Sequence, residues 1–205
     1  MTSLATDERF AHDAFFIDQL IRPIANLYRV STLGADGKSP GQPLAFVRQK
    51  KLAVRENIRF FGDENEGQEL FQLKTRSVME FRGRYDVVGP GEERIGVLQK
   101  VFGASLLRSS WRILDAEEQE AGQAFEKSMP VAILRRAIDL VPYGELIPIL
   151  FHFTITADGR EVGSLTRPIG LRDRYILDLR ADAERRIDRR LAVALGVALD
   201  ALQSR

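Results

Sequence analysis

The 205-residue sequence contains no cysteine, only two histidines and one tryptophan, and almost no excess of charge of either sign. Without cysteine the chain forms no disulfide and offers no thiolate, which fits a reducing compartment such as the cytosol. Thirty basic residues against twenty-nine acidic ones leave a net charge of +1, so nothing in the composition points to a nucleic-acid partner. We therefore expect a cytoplasmic protein that binds no nucleic acid.

Signatures of catalysis and of cofactor binding are also missing. The chain has no Gly-x-Ser-x-Gly nucleophile elbow and no glycine loop of the Walker or Rossmann type. Its two histidines, His12 and His152, are isolated and do not form the ligand set of a zinc site. His152 follows Leu150 and Phe151, which favours a strand residue over a general base. We expect no enzyme, metal or cofactor; an active site assembled from distant loops is the alternative.

The longest apolar run lies near the end of the chain. From Leu191 to Leu199 every residue is apolar or glycine, and charged residues lie on both sides of this run. Spanning a bilayer takes about 20 apolar residues, so the run is too short for a membrane helix. A helix that is apolar all round must instead be buried in a core. The pattern predicts a central helix over about 183–203. Residues 1–9 show no signal-peptide pattern.

Short apolar runs separated by turn residues occupy most of the chain before this helix. Glycine, proline and aspartate mark turns at 34–37, 39–41 and 89–91. Short, regularly punctuated strands are typical of an all-β barrel or sandwich. The sequence predicts a flexible segment over 1–14 and a single domain over 15–205. Strands are predicted over 25–32, 44–49, 58–61, 69–74, 78–88 and 146–155, a short helix or extended arm over 11–22, and an amphipathic helix over 130–140.

An internal repeat is the strongest signal after the helix. Glu93 to Lys100 and Arg160 to Arg167 share the pattern apolar, glycine, any residue, leucine, polar, basic. Downstream, the segments 111–115 and 174–178 both end in Ile-Leu-Asp. Each copy predicts a hairpin with a glycine in the middle of a strand, where tight curvature or close backbone approach is needed. The repeat therefore favours a duplicated β-unit in a closed barrel.

These motifs resemble those of the Tubby C-terminal-like superfamily, and most closely its LURP-one-related and phospholipid-scramblase-like branch. The resemblance rests on Arg94–Leu98, Trp111–Asp115, Gly159–Gly163, Tyr175–Asp178 and Asp188–Asp200, and it covers roughly residue 15 to the end. It implies a closed antiparallel barrel of about twelve strands around a buried, hydrophobic C-terminal helix. In scramblases the corresponding helix was long interpreted as membrane-spanning, whereas the length of the run here favours burial.

An acidic stretch precedes the helix, where scramblases are thought to bind calcium. Oxygen ligands suit Ca²⁺, but arginines alternate with the acidic residues here and the spacing of a calcium loop is absent. Acidic residues near the N-terminus of a helix, with solvated arginines between them, explain the stretch without a metal. Its members are Asp173, Asp178, Asp182, Glu184 and Asp188.

Two basic clusters are the candidate ligand-binding residues. The first contains Arg48, Lys50 and Lys51, of which Arg48 and Lys50 lie on the same side of an extended strand. It is similar in kind to a basic early strand that takes part in phosphoinositide binding in Tubby itself. The second contains Arg185, Arg186 and Arg189, with Arg190 beside them, and such a cluster can hold phosphate groups through bidentate contacts. The alternative is that both clusters are solvated surface, the second paired with neighbouring acidic residues.

Three functional hypotheses follow. The first is a non-catalytic binding module for an anionic membrane surface or a phosphorylated small ligand, peripheral to the membrane in the former case. The second is a structural or protein-interaction scaffold. The third is lipid scrambling, which needs a route through the membrane and ranks last for a chain with neither a spanning helix nor a cysteine for palmitoylation. We favour the first.

Overall fold

The structure, a computed structural model, describes residues 7–20, 25–50, 57–75, 83–101, 109–126, 152–168 and 173–202. These residues form a 3₁₀ turn at Glu8–Phe10, twelve strands and one α-helix, α1, at Arg189–Ala201. The strands are β1 (Ala14–Leu20), β2 (Ala25–Leu33), β3 (Pro40–Lys50), β4 (Asn57–Phe61), β5 (Glu69–Thr75), β6 (Arg84–Val88), β7 (Arg94–Val101), β8 (Ser110–Leu114), β9 (Glu120–Glu126), β10 (His152–Ala157), β11 (Arg160–Thr166) and β12 (Arg174–Asp178).

The twelve strands close into an antiparallel barrel. Each strand pairs with its neighbour in the chain, and β12 returns to pair with β1. This closing seam runs from Ala14 opposite Asp178 to Asp18 opposite Arg174. Closure pairs each of these twelve described strands on both sides, so none of them is an edge strand. The predicted twelve-stranded barrel is confirmed, and both repeat copies form the predicted hairpins, β7–β8 and β11–β12.

The structure describes the connections between strands at one end of the barrel. At the upper end, where α1 begins, the turns at 34–39, 62–68, 89–93, 115–119 and 158–159 join successive strands. At the lower end, where α1 ends, the connections 21–24, 51–56, 76–82, 102–108, 127–151 and 169–172 lie outside the described residues. The helix predicted over 130–140 therefore lies outside them as well.

The core consists of the inward side chains of the strands and nearly the whole surface of α1. Alternate strand residues such as Ile17, Val47 and Leu73 are fully buried, as the two-residue period of a strand requires. Eleven of the thirteen helix residues are buried. A helix without a polar stripe is stable in water only inside such a shell. The prediction of a buried central helix is confirmed.

The start of the helix differs from the prediction of about residue 183. The helix begins at Arg189, with the Asp188 side chain accepting the N–H of Arg190 at 2.8 Å. Upstream, the carbonyl of Leu179 accepts the N–H of Asp182, and the carbonyl of Asp182 accepts that of Arg185. Arg185 has φ of +51°, a left-handed conformation that a right-handed helix does not contain. Residues 179–187 therefore form turns, which the charged composition of this stretch does not distinguish from a first helical turn.

Glycines in three strands allow the chain that enters the barrel to pass close to the wall. A Cβ added at Gly96 would clash with the Leu114 carbonyl and lie 2.6 Å from the Leu191 side chain. Added at Gly122 or Gly163, it would lie 2.5 Å from the carbonyl of a neighbouring strand. The repeat glycines, Gly96 and Gly163, thus serve close backbone approach, as predicted.

The beginning of the chain packs against the barrel. The segment predicted as a short helix or extended arm is the strand β1, and both Phe15 and Phe16 are buried. Phe10, inside the segment expected to be flexible, is also fully buried, and its ring centroid lies 5.5 Å from that of Phe71. Residues from Asp7 onward therefore contribute to the domain.

Candidate functional site

The first predicted basic cluster is part of a larger group on the outer face of the barrel. Arg48 on β3 lies directly opposite Arg59 on β4. Arg29 on β2 lies opposite Phe46, two residues before Arg48 on the same face of β3. The three side chains are 42–48% exposed. We call Arg29, Arg48 and Arg59 the arginine row. Lys50 is the last residue of β3, and Lys51 lies outside the described residues.

Acidic side chains from a single segment neutralise the arginine row. This segment, residues 62–69, comprises the turn between β4 and β5 and the first residue of β5, and we call it the acidic hairpin. Glu64 pairs with Arg29, Glu66 with Arg48, and Glu69 with Arg59. Two arginines directly opposite each other on neighbouring strands repel. The acidic hairpin offsets that repulsion.

Buried aromatic rings lie beneath the row. Phe46 and Phe61 face each other across β3 and β4, and they are only 7% and 2% exposed. The guanidinium carbon of Arg59 lies 5.1 Å from the centroid of the Phe61 ring, a cation–π contact. The row is therefore carried on paired strands, and the Arg59 guanidinium lies over the buried Phe61 ring while its side chain stays 48% exposed.

The second predicted cluster is at the upper end, but its members do not share one surface. Arg189 is 3% exposed and contacts Asp182 at 2.5 Å and Asp13 at 2.6 Å. Arg185 instead donates to two backbone carbonyls, those of Phe10 and Ala11. Arg189 is therefore held inside the protein, away from any surface ligand.

The remaining two arginines of this cluster are paired at the surface. Arg186 contacts Glu184 at 2.9 Å and also Asp158, while Arg190 contacts Asp188 at 2.6 Å. These contacts match the alternative in which the cluster pairs with neighbouring acidic residues. An open cavity of about 350 Å³ lies beside Arg186, and it is lined by both acidic and basic side chains. Such a mixture does not select an anion.

Asp182 is the acceptor at the centre of the upper end. Its carboxylate accepts the N–H groups of Arg186 and Ile187, each at 3.0 Å, besides the Arg189 guanidinium. Burial alone would raise its pKa, but these donors outweigh burial and hold the pKa of Asp182 below its usual range. Asp182 is therefore charged at neutral pH and ties the turn before α1 to the helix.

A buried polar group at the lower end of the barrel, formed by Asp200, Tyr28 and Tyr175, was not predicted from the sequence. The Asp200 carboxylate, near the end of α1, accepts hydrogen bonds from the hydroxyls of Tyr28, at 2.7 Å, and Tyr175. Burial raises the pKa of Asp200, and the two hydroxyl donors offset this only in part. Burial and the nearby Asp200 charge also raise the pKa of both tyrosines. The one sign of this group in the sequence is Asp200 itself, a charged residue directly after the apolar run that ends at Leu199.

The acidic stretch proposed as an alternative calcium site is divided among separate contacts. Asp178 pairs with Arg180, Asp173 with Arg167, and Asp182 with Arg189. Within the described ranges, no three side chains of the metal-binding types converge. Nor does this part of the chain contain a helix long and apolar enough to cross a lipid bilayer.

The fold defines a class of protein in which an antiparallel barrel encloses its own C-terminal helix. A family model described as LURP-one-related matches residues 44–200, from within β3 nearly to the end of α1. The chain therefore belongs to the LURP-one-related family. No curated protein matches the chain. The predicted resemblance to this family is confirmed, while the wider likeness to Tubby and to scramblase-like proteins stays a prediction.

Proposed function

We propose that the protein is a non-catalytic binding module that holds anionic phospholipid headgroups or a phosphorylated small ligand on the arginine row. The observation that carries this proposal is the alignment of three outward arginine side chains on adjacent strands, one of them over a buried ring. Arginine presents a planar set of donors that matches phosphate in a bidentate contact. Lys50, at the end of β3, extends the same strand beyond Arg48.

The position of the row also supports a binding role. The inward residues, not the arginines, build the core, so the row is not needed to fill the barrel. Arg48 lies opposite Arg59, and Glu66 and Glu69 offset their repulsion. An anionic ligand that contacts both arginines offsets the same repulsion.

Of the second cluster, the proposal retains only the exposed residues. Arg185 and Arg186 remain at the surface, where they are 45% and 48% exposed, and can add to the attraction of an anionic surface. Arg189 is left out because it is buried in an ion pair. In this proposal the protein is cytoplasmic and contacts the membrane only from its surface.

One observation favours the scaffold hypothesis as a second candidate. Every arginine of the row already has a carboxylate partner in the chain, so the row also satisfies the requirements of a solvated protein surface. Lipid scrambling has no such support, because α1 is enclosed by the barrel.

Vesicle co-sedimentation tests the proposal. Wild-type protein should bind vesicles that contain phosphatidylserine but not vesicles of phosphatidylcholine alone, and the binding should fade as salt is raised. The variant Arg29→Ala/Arg48→Ala should lose binding. The matched control is Arg112→Ala/Arg180→Ala, which removes two exposed, ion-paired arginines elsewhere and should bind like wild type.

A soluble polyphosphate, inositol hexakisphosphate, separates the two ligand sources. Binding to this probe without binding to vesicles would assign the row to a free phosphorylated ligand. If neither the vesicles nor the polyphosphate bind at low salt, the binding proposal is rejected and the scaffold hypothesis takes its place.

A further inference from the structure

The acidic hairpin places one glutamate against each arginine of the row. Glu64 reaches back to β2, Glu66 to β3, and Glu69 to β4, so one short segment crosses the whole row. We propose that the acidic hairpin is a built-in competitor, in which Glu64 and Glu66 occupy the anion positions until a ligand displaces them. This inference rests on the proposed function, because it describes how the same row is regulated.

The ion pairs of the row are of a kind that a ligand can exchange. In the pair between Arg29 and Glu64 the side chains are 42% and 58% exposed, and in the pair between Arg48 and Glu66 they are 44% and 25% exposed. Exposed pairs contribute little to stability because water screens them. By contrast, the side chains of Arg189 and Asp182 are only 2% and 1% exposed. A ligand can therefore compete for the row but not for the buried pair.

The backbone of the hairpin makes two of the three glutamates displaceable. Glu64 and Glu66 lie in the turn, whereas Glu69 is fixed in β5. Glu66 has φ of +58°, in the left-handed region that disfavours any residue with a Cβ. Its N–H bond to the Asp63 carbonyl is long, at 3.3 Å. Rotation of the Glu64 and Glu66 side chains away from the row leaves the pairing of β4 with β5 intact.

The two displaceable glutamates also define the ligand. Arg29 pairs with Phe46 and is therefore diagonal to Arg48, and such diagonal positions on neighbouring strands are about 7–8 Å apart. A ligand that replaces both carboxylates must present two anionic groups at a comparable spacing. The ligand class is therefore one with closely spaced phosphate groups, either on one molecule or on neighbouring headgroups of a membrane. A single inorganic phosphate would replace only one glutamate and should compete poorly.

The test compares full-length variants that carry the same change in charge. Glu64→Gln/Glu66→Gln should bind inositol hexakisphosphate or phosphatidylserine vesicles about fivefold more tightly than wild type, since each removed competitor pair is a weak exposed one. The control, Glu117→Gln/Glu161→Gln, removes two exposed glutamates away from the row and should change binding by less than about twofold. Glutamine keeps the shape of glutamate, so neither variant disturbs the fold.

The outcomes distinguish failure of the competitor from failure of the proposed binding site. If Glu64→Gln/Glu66→Gln binds no more tightly than the control, while Arg29→Ala/Arg48→Ala still abolishes binding, the competitor is disproved and the binding site stands. If no variant, including Glu64→Gln/Glu66→Gln, binds either probe at low salt, the proposed function itself fails and the inference fails with it.

Discussion

A single buried carboxylate controls how the chain enters the barrel. Asp182 holds the Arg189 guanidinium, which also reaches Asp13 at the start of the first strand. The turn, the helix and the N-terminal segment therefore meet at one charged group. A buried guanidinium that loses one of its two carboxylate partners keeps its full desolvation cost and loses part of the attraction that offsets it.

Replacement of this carboxylate should be strongly destabilising. Asp182→Asn leaves the buried Arg189 guanidinium with the half-exposed Asp13 carboxylate and with backbone carbonyls, so the free energy of unfolding should fall by about 3 kcal/mol. Urea denaturation measures the loss, with the fluorescence of Trp111 as the probe. Trp111 is the only tryptophan in the chain and is fully buried.

An exposed ion pair of the same type provides the control. Arg180 is 69% exposed where it pairs with Asp178, so Asp178→Asn should cost less than about 1 kcal/mol. Equal losses in the two variants would show that burial of the Asp182 pair does not set its contribution.

At the scale of elements, three hairpins of the upper end share one arrangement, a glutamate in the turn that pairs with a basic residue. Glu66, Glu92 and Glu118 each occupy a left-handed position in the turn between two strands, where glycine is usual. The carboxylate of each forms an ion pair with a basic residue of a preceding strand. The pairs are Glu66 with Arg48, Glu92 with Lys74 and Glu118 with Arg94. The acidic hairpin extends this arrangement, because Glu64 and Glu69 flank the same turn and bind two further arginines.

A methyl group added at a glycine should cost more stability in the barrel wall than in the helix. At Gly96 on β7 an added methyl group would meet the backbone carbonyl of Leu114, which is fixed by strand pairing. At Gly196 on α1 it would meet the end of the Ile17 side chain at 2.8 Å, and that side chain can rotate away. We expect Gly96→Ala to lower the free energy of unfolding by roughly 2–3 kcal/mol.

For Gly196→Ala the change should stay within about 1 kcal/mol, because the helix propensity of alanine offsets the crowding at Ile17. Urea denaturation of the two variants side by side measures both values. A larger loss for Gly196→Ala than for Gly96→Ala would mean that the helix, not the strand pairing, is the rigid part.

At the scale of the whole molecule, local patterns predicted the architecture but not the contacts between distant residues. The apolar run from Leu191 to Leu199 predicted the central helix, because a helix without polar residues has to be buried. The repeat glycines, Gly96 and Gly163, indicated close approach of the backbone, because glycine has no side chain in the way. The acidic hairpin was missed because pairing of Glu64 with Arg29 depends on how two strands lie side by side. Such contacts arise only when the strands pair.

The two ends of the central helix carry carboxylates with opposite pKa shifts. At the upper end, hydrogen-bond donors keep the pKa of Asp182 low. At the lower end, burial raises the pKa of Asp200, whose two tyrosine partners belong to β2 and β12, the strands on either side of β1. Asp200 therefore links the helix to the seam that closes the barrel, and ionisation of Asp200 affects the stability of the whole molecule.

The sign of this effect follows from the raised pKa. Below the ordinary aspartate pKa of about 3.9, Asp200 is protonated whether the chain is folded or not. As the pH rises from about 4 toward the higher folded pKa, the unfolded chain ionises first, so the wild-type protein loses stability that Asp200→Asn keeps. The free energy of unfolding of Asp200→Asn minus that of wild type should therefore increase between pH 4 and 7, as urea denaturation at several pH values measures. Asp178→Asn, which removes a carboxyl whose pKa is lowered by Arg180, should show the opposite slope, mainly below about pH 4, and little change between pH 5 and 7. A flat or falling difference for Asp200→Asn would mean that the tyrosine hydroxyls, rather than burial, dominate at Asp200.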